Sequence, residues 1–598
     1  MKLFAPFAEQ EPVTYTSRFM SYLWLFLYAL LLEMVTTVLF YLSVPREGVI
    51  GHFVVTLSIV GTSLLFVLLT ALPSKRWMRR IAATLAMLLT SSLFLIEHYL
   101  LYIYGTPYTD SIALTMLDTN PGEVSGFINS PISFISIIKS LVTLLGVGGI
   151  TYLIHRFALS RIRFKTPSWI MDLFVLFFLG GFLVSRAEIY SSYKSKIPNY
   201  IIMSPVDRFL YGTRYSYKEN KIAVEQIKYT DAVLDYPITP RQLHGVHNVV
   251  IIIGESLRRG DMHCYGYSLP NTPKLDSLIA SKQLLLFHDV VAPKPNTAAC
   301  LSEVLTYHDN TAPNNDTEWY CCPTFATPLK KAGYYTYWVS NQEKSGAFVQ
   351  TVPAIAHTCD SVCFINNAVE RSKGDNFQPK FDIEVLPHLL VADKSRHRAI
   401  VQVVHLMGSH TAFSDRYPHD KFSLFKPKDI PEELTPRQLE LTADYMNSIY
   451  YNDYVVSEII KKYSRESAII LYFSDHGLAR YDSPDNPDSF AHSASIPGLL
   501  IPFMVYMSPR FEKENPSLAH TIRNTPDEAL MLDLFPFLLE GITGVHTPFY
   551  KSEYDFFSTH YNASRERKVR ALEQEIVIPP KATYPKRRAK PILPFDFH

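Results

Sequence analysis

No sign of charge predominates in this 598-residue chain: 57 Lys and Arg stand against 56 Asp and Glu, a formal net charge of +1. That balance excludes a general nucleic-acid binder, which concentrates basic charge in one domain or stripe. No cysteine occurs before residue 264, and no Lys or Arg occurs between residues 105 and 131. No internal repeat is present. The first apolar run is too long for a cleavable signal peptide and has no small-residue cleavage site behind it, so it is expected to be retained. A single compact core is excluded by length, which predicts two or more domains.

Mean hydropathy is slightly positive, +0.04, although 19% of the residues are charged. Very apolar segments joined to an ordinary soluble part would produce that mixture. Apolar runs lie at 19–43, 52–72, 81–104, 132–154 and 169–185. Each is near the ~20 residues that cross a ~30 Å hydrocarbon core, so five transmembrane helices are expected. A set of buried core helices is the competing reading, disfavoured by the density of such runs and their few charges. Lys139 is one of those charges, expected to face the bundle interior or a water-filled groove.

The loops set the orientation. PSKRWMRR after the second run holds Lys75, Arg76, Arg79 and Arg80, and RFALSRIRFK after the fourth holds Arg156, Arg161, Arg163 and Lys165. Positive loops stay in the cytoplasm. The uncharged-by-cation stretch 105–131 then lies outside, and everything after about residue 188 is exported. All six cysteines (264, 300, 321, 322, 359 and 363) fall in that exported part. An even number in an oxidising compartment suits disulfides, with free thiols or a metal site as the alternative.

Residues 188–245 are polar and tyrosine-rich, expected to form a bridging linker with short helices. Beyond them, β-branched runs at 249–253, 334–340, 399–406, 468–474 and 502–507 read as buried strands, and 272–282 and 436–463 read as helices. The alternation predicts an α/β domain with a largely parallel sheet over 246–565. The basic, proline-containing segment 566–598 is expected to run over the surface as a solvated tail.

Functional groups in such sheets collect past the carboxyl ends of the strands. VVIIIGES places Glu255 there, and AIILYFSDHG places Asp475 and His476. One Asp-His pair is a weak signal. With a Glu at a second strand end it makes a carboxylate and imidazole set suited to Zn²⁺. AIVQVVHLMGSH adds His405 and His410, and FAHS adds His492. A lone His is more often structural, but several at one sheet rim point to a site.

These motifs resemble, in order, those of the membrane phosphoethanolamine transferases of the alkaline phosphatase and sulfatase superfamily. GES followed by YGY and NTP (254–273) is similar to the family's GE(S/T) block and its GY and (T/N)P landmarks. HLMGSH (405–410) is similar to its H-x-x-GSH block, SDHG (474–477) to its DHG block, and TNPGEV (119–124) to an element near the lipid-facing end of the site. The resemblance covers nearly the whole chain. It implies five transmembrane helices (1–187), the bridge (188–245) and a periplasmic catalytic domain, all in a bacterial inner membrane.

By the same resemblance Thr297, in PKPNTAAC, is the nucleophile; Ser256, Thr306 and Thr272 are poorer candidates. An N-cap role for Thr297 is compatible with it, since a helix start offers N–H groups to a phosphate. Glu255, Thr297, Asp475 and His476 would then hold one zinc tetrahedrally. His410 and His492 would steady the phosphate, protonate the leaving group or hold a second zinc. Asn341 and His405 would contact substrate. Phosphatidylethanolamine is the implied donor and lipopolysaccharide, through its core or lipid A, the acceptor, with a phosphoethanolamine-threonine intermediate and a monomeric enzyme.

Departures from the family pattern matter. The lipid-A-modifying branch carries a CGT-x-T block where this chain has PKPNT, so the branch acting on the lipopolysaccharide core is the nearer one. Leu478 replaces a frequent Glu after SDHG. A phosphoglycerol transferase and a non-catalytic envelope-binding membrane protein are the rival readings. A sulfatase is disfavoured because no C-x-P-x-R motif occurs; Cys300 is followed by Leu301, Ser302 and Glu303.

Overall fold

The computed structural model describes residues 15–43, 49–104, 107–109, 112–113, 131–158, 168–194, 203–233, 236–238, 246–308, 318–343, 351–366, 380–392, 399–484, 490–525, 527–571 and 574–585. The described residues up to Tyr217 form one compact unit, and those from Lys218 form another.

The first unit is helical. Each of the five apolar runs lies mostly in one helix: α1 (Leu23–Ser43), α2 (Val49–Ala71), α3 (Arg76–Tyr104), α4 (Pro131–Phe157) and α5 (Ser168–Lys194). By length and composition, two stretches of described residues suffice to cross a membrane, Arg76–Tyr102 and Ser136–Phe157. Shorter apolar stretches, Leu23–Leu39, Val55–Ala71 and Leu176–Ala187, lie in the other three. The bridge contains one long helix, α6 (Pro205–Val233). Its Arg208 is fully buried and forks onto Glu97 of α3 at 2.9 and 3.1 Å. Of the two settings expected for Lys139, the bundle interior is not the one observed: the residue is exposed, with its ammonium 4.1 Å from the Tyr102 ring centre.

The second unit is built on a seven-stranded sheet. Its strands are β1 (Asn248–Gly254), β2 (Leu284–Phe287), β3 (Tyr335–Glu343), β4 (Ser361–Asn366), β5 (Ile400–His405), β6 (Ala468–Ser474) and β7 (Phe503–Met507). The spatial order is β2-β7-β6-β1-β5-β3-β4. Only β7 runs against its neighbours. Alternation along β1 feeds two cores: Val249, Ile251 and Ile253 join one face, Val250 and Ile252 the other, all with no exposed surface. Burying such side chains contributes about 1.5–3 kcal/mol each, which pins the register.

Helices cover both faces. On one, α7 (Thr297–Val304) packs into the cluster of Val249 and Ile251; on the other, α8 (Pro436–Tyr463) packs into that of Val250 and Ile252. Thr435 caps α8 by accepting from Gln438 N, with Pro436 at its first position, a sequence-local start signal. Two strands, β2 and β4, were not expected; both are short and are the two edges of the sheet, with only half-buried side chains in places.

Two further expectations are corrected. No disulfide joins any of the six cysteines. Cys359 lies in the core of one sheet face, whereas Cys363 packs against the other, so the short 359–363 loop does not bring them together. The C-terminal segment is not a solvated tail throughout: Lys568–Ala571 and Gln574–Val577 form a hairpin, and buried Arg567 pairs with Asp289 at 2.7 Å. Residues 586–598 lie outside the described residues, as does the TNPGEV element.

Candidate metal centre

The central strands β1 and β6 are parallel neighbours, with Gly254 opposite Ser474. The residues just past that end are therefore side by side. Glu255, Asp475 and His476 are fully buried, and each offers a ligand atom within 4.8 Å of the others. His476 Nε2 lies 3.3 Å from Glu255 Oε1 and 3.3 Å from Asp475 Oδ2. The other ring nitrogen, Nδ1, is engaged by the Gly477 carbonyl at 2.8 Å. That contact makes Nδ1 the protonated nitrogen and turns Nε2 toward the carboxylates.

Thr297 opens α7, with Asn296 as its cap accepting from Ala299 N at 3.1 Å. The threonine is thus the first helical residue rather than the cap. Its Oγ1 reaches Glu255 Oε2 at 3.0 Å and His476 Nε2 at 3.3 Å. Thr306 and Thr272 point elsewhere, the first donating to Ser302 O at 2.6 Å and the second to Asp276 Oδ1 at 3.2 Å. Ser256 stays beside Glu255, donating to Oε1 at 2.7 Å. Its φ of 55° is a left-handed conformation that costs a non-glycine residue of order 1 kcal/mol or more. Asp475 Oδ1 accepts its N–H at 3.1 Å, and the Tyr445 hydroxyl donates to its carbonyl at 3.0 Å.

The electrostatics are those of a crowded donor set. Burial opposes charge on Glu255, but hydrogen bonding and charge from His476 outweigh it and hold the carboxyl well below its usual range. Burial and the Glu255 charge push Asp475 up to about 7. Burial disfavours the imidazolium of His476, yet Asp475 and Glu255 raise it to about 9. A proton on His476 thus balances two carboxylates that a cation would otherwise satisfy. Asp475 Oδ2 is buried without a hydrogen-bond partner. Two carboxylates, an imidazole nitrogen with its tautomer set, and a hydroxyl fit Zn²⁺.

The remaining histidines surround this set. The ring of His492 lies 4.5 Å from that of His476, edge-on at 76°, and its buried Nε2 has no hydrogen-bond partner. Burial, then the neighbouring His476 charge, lowers it to about 3. His410 is half-buried, its Nδ1 3.3 Å from Thr411 Oγ1, and its charge acts on both Glu255 and His492. His405 ends β5 with its ring edge-on to Trp338 and Nε2 buried without a partner.

Asn341 is the residue that the geometry turns away. Its amide donates to Asp382 Oδ1 at 2.7 Å and Lys380 O at 3.0 Å, and its carbonyl accepts from Asn366 at 2.8 Å. Its neighbour Gln342 faces the site instead, donating to Glu255 Oε2 at 2.9 Å. Successive residues of a strand point to opposite faces, so an error of one position in a motif exchanges site for support. Asp382 was also not singled out from sequence. It accepts Met407 N and Gly408 N, both at 2.8 Å, and so shapes the loop that carries His410. Gly408 in that loop has φ 53°, and a Cβ there would lie 2.7 Å from Glu255 N.

Comparison with known proteins agrees with this layout. A family model described as Sulfatase matches residues 247–544. Phosphoethanolamine transferase EptC of Escherichia coli is 26% identical over 485 residues, covering 76% of this chain and 80% of its own length. Among solved structures, the integral membrane lipooligosaccharide phosphoethanolamine transferase A from Neisseria meningitidis shares the fold, with TM-score 0.59 and 17% identity over 90% of this chain and 97% of that one. The periplasmic domain of Escherichia coli EptC, solved in complex with Zn, gives TM-score 0.50 and 24% identity, covering 57% of this chain and 95% of that domain.

Proposed function

We propose, from the premise that the chain belongs to the sulfatase family and to its phosphoethanolamine transferases, that it moves phosphoethanolamine from phosphatidylethanolamine to lipopolysaccharide. The acceptor is a group of the core or of lipid A. The proposed setting is a bacterial inner membrane, with five spans in residues 1–187, the bridge at 188–245, a periplasmic catalytic domain at 246–565 and the basic segment 566–598. The protein works as a monomer. The observation that carries the reading is the position of Thr297 Oγ1, 3.0 Å from Glu255 Oε2 and 3.3 Å from His476 Nε2.

Glu255, Thr297, Asp475 and His476 would hold one zinc, with His410 and His492 available for a second. Zinc supplies the positive charge that favours the threonine alkoxide at neutral pH. Thr297 Oγ1 attacks phosphorus, forming the O–P bond of a phosphoethanolamine-threonine. The bond from phosphorus to the diacylglycerol oxygen breaks, and that oxygen takes a proton. In this reading His410 and His492 are the groups that hand over that proton. An acceptor oxygen then attacks the same phosphorus, the Thr297 O–P bond breaks, and the hydroxyl is restored. Gln342, through Glu255, keeps the carboxylate aimed.

Peptide mass spectrometry after incubation with phosphatidylethanolamine and zinc tests the reading, with Thr297→Ala as control. A phosphoethanolamine adduct on the Thr297 peptide, absent in the variant, is the expected result. An adduct only from phosphatidylglycerol would replace the donor by a phosphoglycerol lipid. No adduct from either lipid on folded, zinc-loaded protein would sink the enzymatic reading.

A further inference from the structure

Residue pairing between β1 and β6 ends at Gly254 and Ser474, with one further bond from Asp475 N to the Gly254 carbonyl at 3.1 Å, and Glu255 and His476 lie beyond it. Past that bond, their spacing also depends on what joins the two loops. Those loops exchange arginine forks. Arg258, three residues after Glu255, donates to both oxygens of Asp482 at 2.9 and 2.5 Å. In return Arg480, from the Asp475 loop, donates to both oxygens of Asp261 at 2.9 and 2.7 Å. Each loop gives the other one guanidinium and one carboxylate. All four side chains are at most 3% exposed.

Three further side chains brace the exchange. Arg480 also donates to buried Glu432 at 2.7 Å. The Tyr445 hydroxyl accepts from Arg258 N at 3.0 Å while donating to the Ser256 carbonyl. Tyr584, near the C-terminal end of the described residues, lies over the Arg258 guanidinium at 4.1 Å and accepts from Gly260 N at 3.0 Å. A Cβ at Gly260 would sit 2.2 Å from that ring. Bidentate forks restrict angle as well as distance, so two of opposite direction leave the loops little freedom to slide.

We propose that Arg258, Asp482, Arg480 and Asp261 are positioning residues, whose reciprocal forks hold Glu255 at zinc-binding distance from Asp475 and His476. This rests on the metal-site reading above. Neither guanidinium donates to a metal-donor carboxylate among the described contacts; both act through the loop backbone. Asp533, paired with Arg565 at 3.1 and 2.5 Å, is a buried fork in the same unit whose two residues lie on neither loop.

The test is zinc affinity of the full-length protein in detergent, by competition with a chromogenic chelator, beside thermal melts of the zinc-free form. Asp482→Asn and Arg480→Lys are expected to weaken zinc roughly 10–100-fold, the range seen when groups that orient metal ligands are lost. Asp533→Asn is expected to lower Tm with zinc affinity within about twofold of wild type, as a merely stabilising fork would. Arg258→Lys keeps the charge and loses the fork, and serves if Asp482→Asn does not fold. Folded fork variants that bind zinc as tightly as wild type would overturn the proposal. Wild type that binds no zinc would instead overturn the metal-site reading, and this inference with it.

Discussion

Gln342 Nε2 donates to Glu255 Oε2 at 2.9 Å and, from the same amide, to the Leu406 carbonyl at 3.2 Å. One side chain thus ties a candidate metal ligand to the loop that carries His410. Gln342→Ala is expected to weaken zinc binding roughly 10–100-fold with little change in stability. Asn341→Ala should do the reverse, because its buried amide serves Asp382, Lys380 and Asn366. Leaving those groups unpaired costs about 1–3 kcal/mol. Metal competition and urea titration on both variants separate the two roles.

The choice of nucleophile makes a second prediction. Ser256→Ala removes the hydroxyl that donates to Glu255 but should still give the Thr297 adduct, at reduced rate. Thr297→Ser should retain a smaller adduct on the new hydroxyl. An adduct that disappears with Ser256→Ala and survives Thr297→Ala would reassign the nucleophile.

Zinc binding should depend on pH in a definite direction. In the zinc-free site His476 is raised to about 9 by Asp475 and Glu255, despite burial. Below that pH its proton must leave before Nε2 can bind metal. Apparent affinity is therefore expected to rise about tenfold per unit towards pH 9 and then level off. The slope should steepen below about 7, where Asp475 also holds a proton. Calorimetric titration in buffers of different ionisation heat measures the protons released.

Stability should carry the signature of a buried neutral imidazole. Burial lowers His405 to about 4 from an ordinary value of 6.5. Between those values the unfolded chain binds the extra proton, so stability rises with pH across the window and is lost as pH falls from about 6.5 towards 4. The shift corresponds to about 3 kcal/mol. His405→Phe should flatten that part of the pH profile of zinc-free protein, read from denaturant midpoints.

Membrane topology is testable without activity. Reporter fusions after Ser74 and Ser160 should remain cytoplasmic, and one after Ser125 should be exported. An exported reporter at Ser74 would reverse the orientation drawn from Arg76, Arg79 and Arg80.

Much of this was legible in the chain itself because it is written in local periodicity. Five apolar runs specify five helices, and the limits of β6 and of α8 follow from a β-branched run and from the Thr435-Pro436 start signal. Glu255, Asp475 and His476 are legible because each sits just past a strand end, where sequence order and chemistry coincide, whereas Thr297 came only from the family resemblance. What only the tertiary structure decided are relations between segments distant in sequence. Asn341 and Gln342 are adjacent amides, and only the register of β3 against β5 settles which one reaches Glu255. Cys359 and Cys363 are four positions apart, yet the sheet separates them onto opposite faces. The forks of Arg258 and Arg480 join loops more than two hundred residues apart, and no local pattern pairs them. Periodicity reports which face of an element is apolar. It carries no information on which loop a guanidinium will meet once two strands become neighbours.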